Sequence, residues 1–138
     1  MYIDFKTPGI SKSLFINKTR EEDMIYLIKK FYDKKGDFID CGSNMGFYPL
    51  LASSLMPSAA SILCIEPDPR NFGVLLRNIR LIRDDINVNR QNIAVSNTAG
   101  EMELDVSVPS NLNKIDRNSK NVERKKLQKH IGKIKKFK

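Results

Sequence analysis

Strand-like and helix-like segments alternate along the first part of this chain, and that alternation limits the folds available to it. Two short strand-like runs occupy residues 37–40 and 61–65, and the second is apolar at almost every position. Each run is followed by a segment in which apolar residues recur at helical intervals, beginning near Phe47 and at Pro69. This order predicts an α/β fold with a parallel sheet and right-handed crossovers.

Capping and turn residues indicate where the other elements begin and end. Thr19 and Glu22 have the spacing of a capping box, which predicts a helix that ends near Gly36. Pro57 is expected to end the helix that begins near Phe47. Further strands are predicted over residues 86–89, 93–96 and 102–108, with a turn at 97–100 and an additional short strand at 13–16.

The positive charge of the chain is concentrated at its end. The sequence has 24 Lys and Arg against 16 Asp and Glu, a formal net charge of +8. Residues 1–110 contain 13 basic and 14 acidic side chains, whereas residues 111–138 contain 11 and 2. The body is therefore electrostatically ordinary, and the net charge says little about what it binds.

The basic tail, residues 111–138, is predicted to be partly helical. A partial helical stripe of apolar residues is formed by Val122, Leu127, Ile131 and Ile134. Basic amphipathic helices bind RNA phosphates or anionic membrane surfaces, so nucleic acid and membrane are both possible partners of the tail. A solvated chain end is the simpler interpretation.

Several function classes are excluded by residues that are rare here. Cys41 and Cys64 are too few for a disulfide framework, and we expect both to be buried free thiols in a reducing compartment. The single histidine, His130, lies in the tail, which argues against a histidine base or a zinc site in the body, and no metal is expected. The start of the chain lacks the apolar core of a signal peptide, so no signal peptide is predicted. Prolines interrupt the uncharged stretch 47–65, so we do not interpret it as a membrane span. We therefore expect a cytoplasmic protein.

Two polar loops follow the first two strand-like runs. The first contains Asp40-x-Gly42-x-Asn44-x-Gly46, and the second begins at Glu66. Ligands bind at the carboxyl ends of the strands in open parallel sheets, so these loops predict a binding site. Glycine allows a sharp turn and a close approach to a ligand, and an acid after the second strand can accept the hydroxyl hydrogens of a ribose.

The first loop favours S-adenosylmethionine over a dinucleotide. The dinucleotide fingerprint is G-x-G-x-x-G, whereas this loop has G-x-x-x-G with Asp40 two residues before its first glycine. Asp40 would repel a pyrophosphate, but it suits the ammonium and sulfonium of S-adenosylmethionine. An NAD-dependent oxidoreductase is the weaker alternative.

Four separated motifs resemble those of the FkbM-type methyltransferases. They are residues 38–48, 65–72, 77–79 and 94–96 with Gly100, and the Arg20-Glu21 pair is also similar. The resemblance covers roughly residues 14–110. It implies a Rossmann-like class I methyltransferase fold that binds S-adenosylmethionine and usually methylates an oxygen, here of a small-molecule or glycan acceptor.

The resemblance also assigns residues to cofactor binding, but none to catalysis. They are Asp40, Gly42, Ser43, Asn44, Gly46, Glu66, Pro67, Asp68, Asn92 and Ala94. The first loop would line the methionine end of the cofactor, and Glu66 would hold the ribose hydroxyls. Pro67 and Asp68 would shape the adenine side. Asn92 and Ala94, near the end of the third strand, would contact adenine.

The family pattern stops near residue 110. The late strand with a Lys-x-Asp-x-Glu-Gly type motif is missing, because no Glu-Gly follows Lys114-Ile115-Asp116. We therefore predict an N-terminal segment and helix (1–36), a cofactor-binding α/β half-domain (37–110) truncated at its C-terminal half, and the basic tail. The open sheet edge would be covered by a second copy or a partner chain. The alternative is a non-catalytic half-domain that binds the cofactor or a partner, with a nucleic-acid-binding tail.

Overall fold

The chain forms a mixed α/β structure. The computed structural model describes residues 1–3, 8–96, 102–105, 114–115 and 124–127. In chain order the elements are α1 (Pro8–Asn17), α2 (Glu22–Phe31), β1 (Phe38–Cys41), α3 (Phe47–Ser53), β2 (Ser61–Ile65), α4 (Pro69–Asn78), a 3₁₀ turn (Ile79–Leu81), β3 (Asn87–Gln91), β4 (Met102–Asp105), β5 (Lys114–Ile115) and β6 (Arg124–Leu127).

The predicted parallel sheet is present. Strands β1, β2 and β3 pair in that order, and both pairs are parallel. Phe38 lies beside Ile62, and Ile62 lies beside Val88. The central strand β2 is buried along its whole length, which is why its sequence is apolar rather than alternating. The three strands with their intervening helices are compatible with a Rossmann-like core.

The main core packs against one face of this sheet. Ile62 and Cys64 are alternate residues of β2, so they share a face, and both are fully buried. The buried members of the cluster on this face are Ala52, Met56, Ala60, Ile62, Cys64, Leu75, Ile82 and Ile86. They come from β2, from α3 and α4, and from the segments that follow α3 and α4. The two helices are therefore fixed on the sheet by apolar burial.

The start of α4 follows from its sequence. Asp68 is the N-cap, and its side chain accepts a hydrogen bond from the backbone N–H of Arg70 at 2.9 Å. Pro69 occupies the first helical position, where its missing N–H costs nothing. The predicted helix start is confirmed, as is the start of α3 at Phe47.

A second sheet involves the tail. Strand β4 pairs antiparallel with both β5 and β6, in the order β5-β4-β6. Pairing therefore crosses the boundary predicted at residue 110. Arg124–Leu127 form a strand where a helix was predicted, because pairing with β4 overrides the weak helical pattern. The other residues of the predicted tail helix and the turn at 97–100 lie outside the described residues.

Three local predictions near the N-terminus are wrong. Residues 13–16 belong to α1 and form no strand. Helix α2 has Glu21 as its N-cap, in a left-handed conformation without a side-chain cap, so the capping box of Thr19 does not form. The carboxylate of Glu21 binds Arg20 and Tyr48 instead. The same helix ends at Phe31, several residues before Gly36.

The third strand lies further along the chain than predicted. Strand β3 spans Asn87–Gln91, and the predicted strand over 93–96 does not form. The last pair of the ladder joins Ile65 to Gln91. Directly after this pair, the side chain of Asn92 donates to the backbone carbonyl groups of Glu66 and Pro67.

Strand β1 lies at an edge of the described sheet. Of the described strands, only β2 pairs with it, and Ile39 on this strand is 52% exposed. Cys41 is also exposed, so the prediction that both cysteines are buried is wrong for Cys41. Cys64 lies on the central strand, where burial raises the pKa of its thiol to about 12. Within the described residues, no helix combines the length and the apolar character that crossing a membrane requires.

Asn78 connects the end of α4 to two distant segments. Its side chain is fully buried. Its amide nitrogen donates to the carbonyl of Met45 at 2.7 Å and to that of Tyr2 at 3.1 Å, and its amide oxygen accepts from the N–H of Tyr2. The loop after β1 and the N-terminus are thus both held against α4.

We expect Asn78→Ala to lower the free energy of unfolding by about 1–3 kcal/mol, because the buried Met45 carbonyl loses its donor. Urea denaturation monitored by circular dichroism measures this change. Arg77→Ala, at the exposed neighbouring position on α4, is the control and should change stability by less than about 0.5 kcal/mol. Equal losses in the two variants would contradict this role.

Candidate functional site

The two polar loops meet at the carboxyl edge of the parallel sheet, as predicted. The N–H groups of Gly42 and Ser43 both donate to the carbonyl of Ile65, at 2.8 and 3.0 Å. The N–H of Glu66 donates to the carbonyl of Gln91 at 3.1 Å. Backbone pairing therefore continues past the strand ends and sets the positions of both loops.

The loop after β1 is built on backbone conformations that most residues avoid. Gly42, Asn44 and Gly46 have φ angles of 86°, 50° and 87°. A Cβ atom on Gly46 would lie 2.7 Å from Cδ1 of Leu75, so a side chain at this position requires Leu75 to shift. A Cβ on Gly42 would have no atom within 4 Å, so there is open space beside that part of the loop. The predicted sharp turn is confirmed.

Ser43 attaches the loop to both neighbouring strands. Its hydroxyl donates to the carbonyl of Asp40 at 2.9 Å and accepts from the N–H of Ile65 at 3.1 Å. The residue is buried. Both capacities of the hydroxyl are therefore used within the protein, and Ser43 supports the shape of the loop.

Glu66 joins the two loops through its carboxylate. One oxygen, Oε2, accepts from the N–H of Asn44 at 2.8 Å, and the other, Oε1, accepts from the N–H of Asp68 at 2.8 Å. Only 4% of the residue is exposed, and burial raises the pKa of its carboxyl group. The backbone N–H groups of Asp68 and Asn44 oppose that rise. Each carboxylate oxygen keeps a second lone pair.

Two buried oxygen atoms of the first loop have no donor. They are Oδ2 of Asp40 and Oδ1 of Asn44. Burial also raises the pKa of the Asp40 carboxyl group, and Ser43 partly opposes this shift. Buried acceptors are normally paired, so these two atoms can take hydrogen bonds from a ligand.

The second loop is held by its own set of contacts. Asp68 is fully buried and forms an ion pair with Arg70, with Nη2 and Oδ2 2.7 Å apart. Asn92 donates from its amide nitrogen to the carbonyls of Glu66 and Pro67, at 2.7 and 3.1 Å. The structure thus brings Glu66, Pro67, Asp68 and Asn92 together. Ala94 is half-buried in the segment after β3, and within residues 8–96 no hydrogen bond connects it to this network.

Sequence reasoning missed two buried asparagines on α4. Asn71 and Asn78 lie on the same face of the helix as Leu75, four residues before it and three after it. All three are buried. A polar residue within an apolar helical stripe normally has a hydrogen-bond partner, so the helical spacing of these asparagines was the available signal.

Tyr48 connects the Arg20-Glu21 pair to the start of α3. Its hydroxyl donates to the carboxylate of Glu21, which also pairs with Arg20. Burial and the neighbouring carboxylate raise the pKa of Tyr48 to about 12, and the tyrosine hydrogen bond lowers the pKa of Glu21. The pair was noticed only through the family resemblance, and the structure places it beside the first loop.

The polar groups of this site are mainly acidic side chains and hydrogen-bond acceptors. The site contains carboxylates, amide oxygens and a glycine loop, and within the described residues no group of three or more His, Cys, Asp or Glu could hold a metal ion. Comparisons with protein-family models, curated proteins and solved structures found no match for this chain. Acceptor groups of this kind are complementary to positive charge and to hydrogen-bond donors.

We expect Gly46→Ala to destabilise the protein more than Gly42→Ala. Both substitutions place a side chain at positive φ, at a cost of about 1–2 kcal/mol, but only Gly46→Ala also forces Leu75 to move. Urea denaturation of the two variants compares the costs. Adding Leu75→Ala to Gly46→Ala should show a favourable coupling in a double-mutant cycle, and strict additivity would contradict the proposed contact.

We expect Asp40→Asn to stabilise the protein at pH 7, by about 1 kcal/mol, because it removes a buried charge with an unpaired oxygen. The folded state raises the pKa of Asp40, so ionisation costs nothing below the ordinary aspartate pKa of about 3.9. Above the raised pKa of Asp40 in the folded state, the full cost of ionising its buried carboxyl group applies. The stability difference between variant and parent should therefore grow with pH. Urea denaturation from pH 3.5 to pH 8 measures it, and a difference that shrinks as pH rises would refute this explanation.

Proposed function

We propose that this chain is an S-adenosylmethionine-dependent methyltransferase that methylates an oxygen of a small-molecule or glycan acceptor. The observation that carries the proposal is the loop after β1. It combines two glycines at positive φ with two buried acceptors that lack donors, on Asp40 and Asn44.

The first loop fits the methionine end of this cofactor. S-adenosylmethionine has an ammonium group, which can donate to the oxygens of Asp40 and Asn44, and a sulfonium, which a nearby carboxylate stabilises. A pyrophosphate has no donors and would be repelled by Asp40. The open space beside Gly42 leaves room for a ligand close to the backbone. Hydrogen bonding and charge therefore both favour the methyl donor over NAD.

Glu66 suits the ribose, and the second loop suits the adenine. Each oxygen of Glu66 can accept one ribose hydroxyl while it keeps its backbone N–H, since a carboxylate has about four acceptor positions. The residue is buried, so the loops must part slightly to admit the ribose. Asn92 would then act by holding the Glu66–Pro67 segment in place, with Asp68 fixing the first turn of α4 beside it.

The chain's own part in the reaction is alignment. The bound cofactor would supply an electrophilic methyl group, and the two loops would orient it toward the acceptor oxygen and limit the access of water. Positioning of donor and nucleophile can supply much of the rate of such a transfer. We assign no residue as an acid or base, and we place the protein in the cytoplasm.

A non-catalytic role is the second candidate, and the edge of the sheet favours it. β1 has an unpaired edge among the described strands and exposes Ile39, which suits a second copy or a partner chain. The cofactor would then stabilise a half-domain whose function is assembly. This second candidate function includes binding of nucleic acid by the basic tail.

Calorimetric titration separates these possibilities. We expect S-adenosylmethionine and S-adenosylhomocysteine to bind and NAD not to bind. Glu66→Gln should weaken binding by about 1–3 kcal/mol, because an acceptor oxygen becomes a donor facing the ribose. Glu22→Gln, on exposed α2, is the matched control and should leave the affinity unchanged.

Each result that contradicts these expectations has a different meaning. Binding of NAD without either adenosyl ligand would reject the methyltransferase proposal. Unchanged affinity in Glu66→Gln, with an unaltered circular dichroism spectrum, would show that Glu66 does not contact the ribose. Binding without methyl transfer to any of a panel of hydroxylated acceptors would favour the assembly role.

A further inference from the structure

A second candidate binding site lies between α4 and the edge strand β3. It is an open groove of about 300 Å³, lined by Leu76, Ile79, Arg80, Val88 and Arg90. These residues come from the last turn of α4, the 3₁₀ turn and β3. The loops of the first site adjoin the opposite end of α4, at Asp68. The groove shares no lining residue with the proposed cofactor site, although Arg90 lies two residues before Asn92.

The groove combines aliphatic side chains with two arginines. Leu76, Ile79 and Val88 supply aliphatic side chains, and the two arginines come from different elements, the 3₁₀ turn and the strand. Both arginines are exposed. A ligand lying in the groove would thus be close to three aliphatic side chains and to one arginine from each of two elements.

The charges of these arginines are not neutralised locally. Arg70 pairs with Asp68, and Arg83 pairs with Asp85. Within residues 8–96, neither Arg80 nor Arg90 has an ion pair, and the guanidinium of Arg90 donates only to the backbone carbonyl of Val88, at 3.3 Å. Most of the donor capacity of both groups is therefore available to an anion.

We propose that this groove binds a small phosphate monoester with a planar or apolar body. A phosphate monoester carries a charge of about −1.5 to −2 at pH 7 and has three terminal oxygens, so it can accept hydrogen bonds from both arginines at once. The attached body would lie against the aliphatic side chains. The volume is at the lower end of the range for small-molecule sites, about 300–1,000 Å³, which suits a ligand of this size. The proposal does not depend on methyl transfer.

Phenyl phosphate is the probe, because it combines the anion with a small planar body. A ¹H–¹⁵N NMR titration should give saturable shifts of the Nε–H signals of Arg80 and Arg90. The double variant Arg80→Gln/Arg90→Gln should bind about tenfold or more weakly, since hydrogen bonds to charged groups are lost. Arg77→Gln is the matched control, an exposed arginine of α4 outside the groove, and should change the affinity less than twofold.

Further ligands test the two halves of the site. Inorganic phosphate lacks the body, benzyl alcohol lacks the charge, and benzoate replaces phosphate by a carboxylate, so each should bind more weakly than phenyl phosphate. Inorganic phosphate or benzoate binding as tightly as phenyl phosphate would overturn the proposed specificity. An equal loss of affinity in Arg77→Gln would show that general attraction by positive charge, and not the groove, accounts for the binding. NMR spectra of the free variants establish that they are folded, so a loss of binding can be attributed to the groove.

Discussion

The buried carboxylate of Glu66 holds the candidate site together. It accepts one backbone N–H from each of the two loops, at Asn44 and at Asp68. One side chain thereby joins two loops that leave adjacent strands, in addition to the backbone pairing that positions each loop. A buried carboxylate is costly unless it is well paired, and here two backbone donors supply that pairing. The shape of the site depends on this bridge, because it joins the positive-φ residues of the first loop to the N-cap of α4.

Around this bridge, the protein tolerates features that do not stabilise it. Two acceptors are buried without donors, and Asn44 lies at positive φ. The rigid surroundings keep these features in place: a side chain at Gly46 would require Leu75 to shift, and Asn78 holds the Met45 carbonyl. In proteins, strained backbone and unpaired buried polar groups that rigid surroundings support in this way cluster where ligands bind. The first loop combines unpaired buried acceptors with positive-φ glycines, which makes it the stronger candidate for chemistry.

The two edges of the parallel sheet differ in character. β3 exposes mostly polar side chains and borders a groove whose two arginines have no ion pair within residues 8–96, whereas β1 exposes Ile39. A polar edge discourages strand addition, and an apolar exposed edge invites a covering element. The same small sheet therefore presents a surface suited to a small anion on one side and one suited to a protein on the other.

The sequence alone determined the elements whose signals are local. The apolar run 61–65, the proline at the start of α4 and the glycines of the first loop each specify a backbone conformation through nearby residues only. Tertiary structure decided what the side chains do. Asn44 and Glu66 are 22 residues apart and Asn92 lies 26 residues from Glu66, so their contacts depend on strand register and packing. Cys41 is exposed because β1 lies at an edge of the described sheet, and Arg124–Leu127 form a strand because a distant pairing partner outweighs the local pattern.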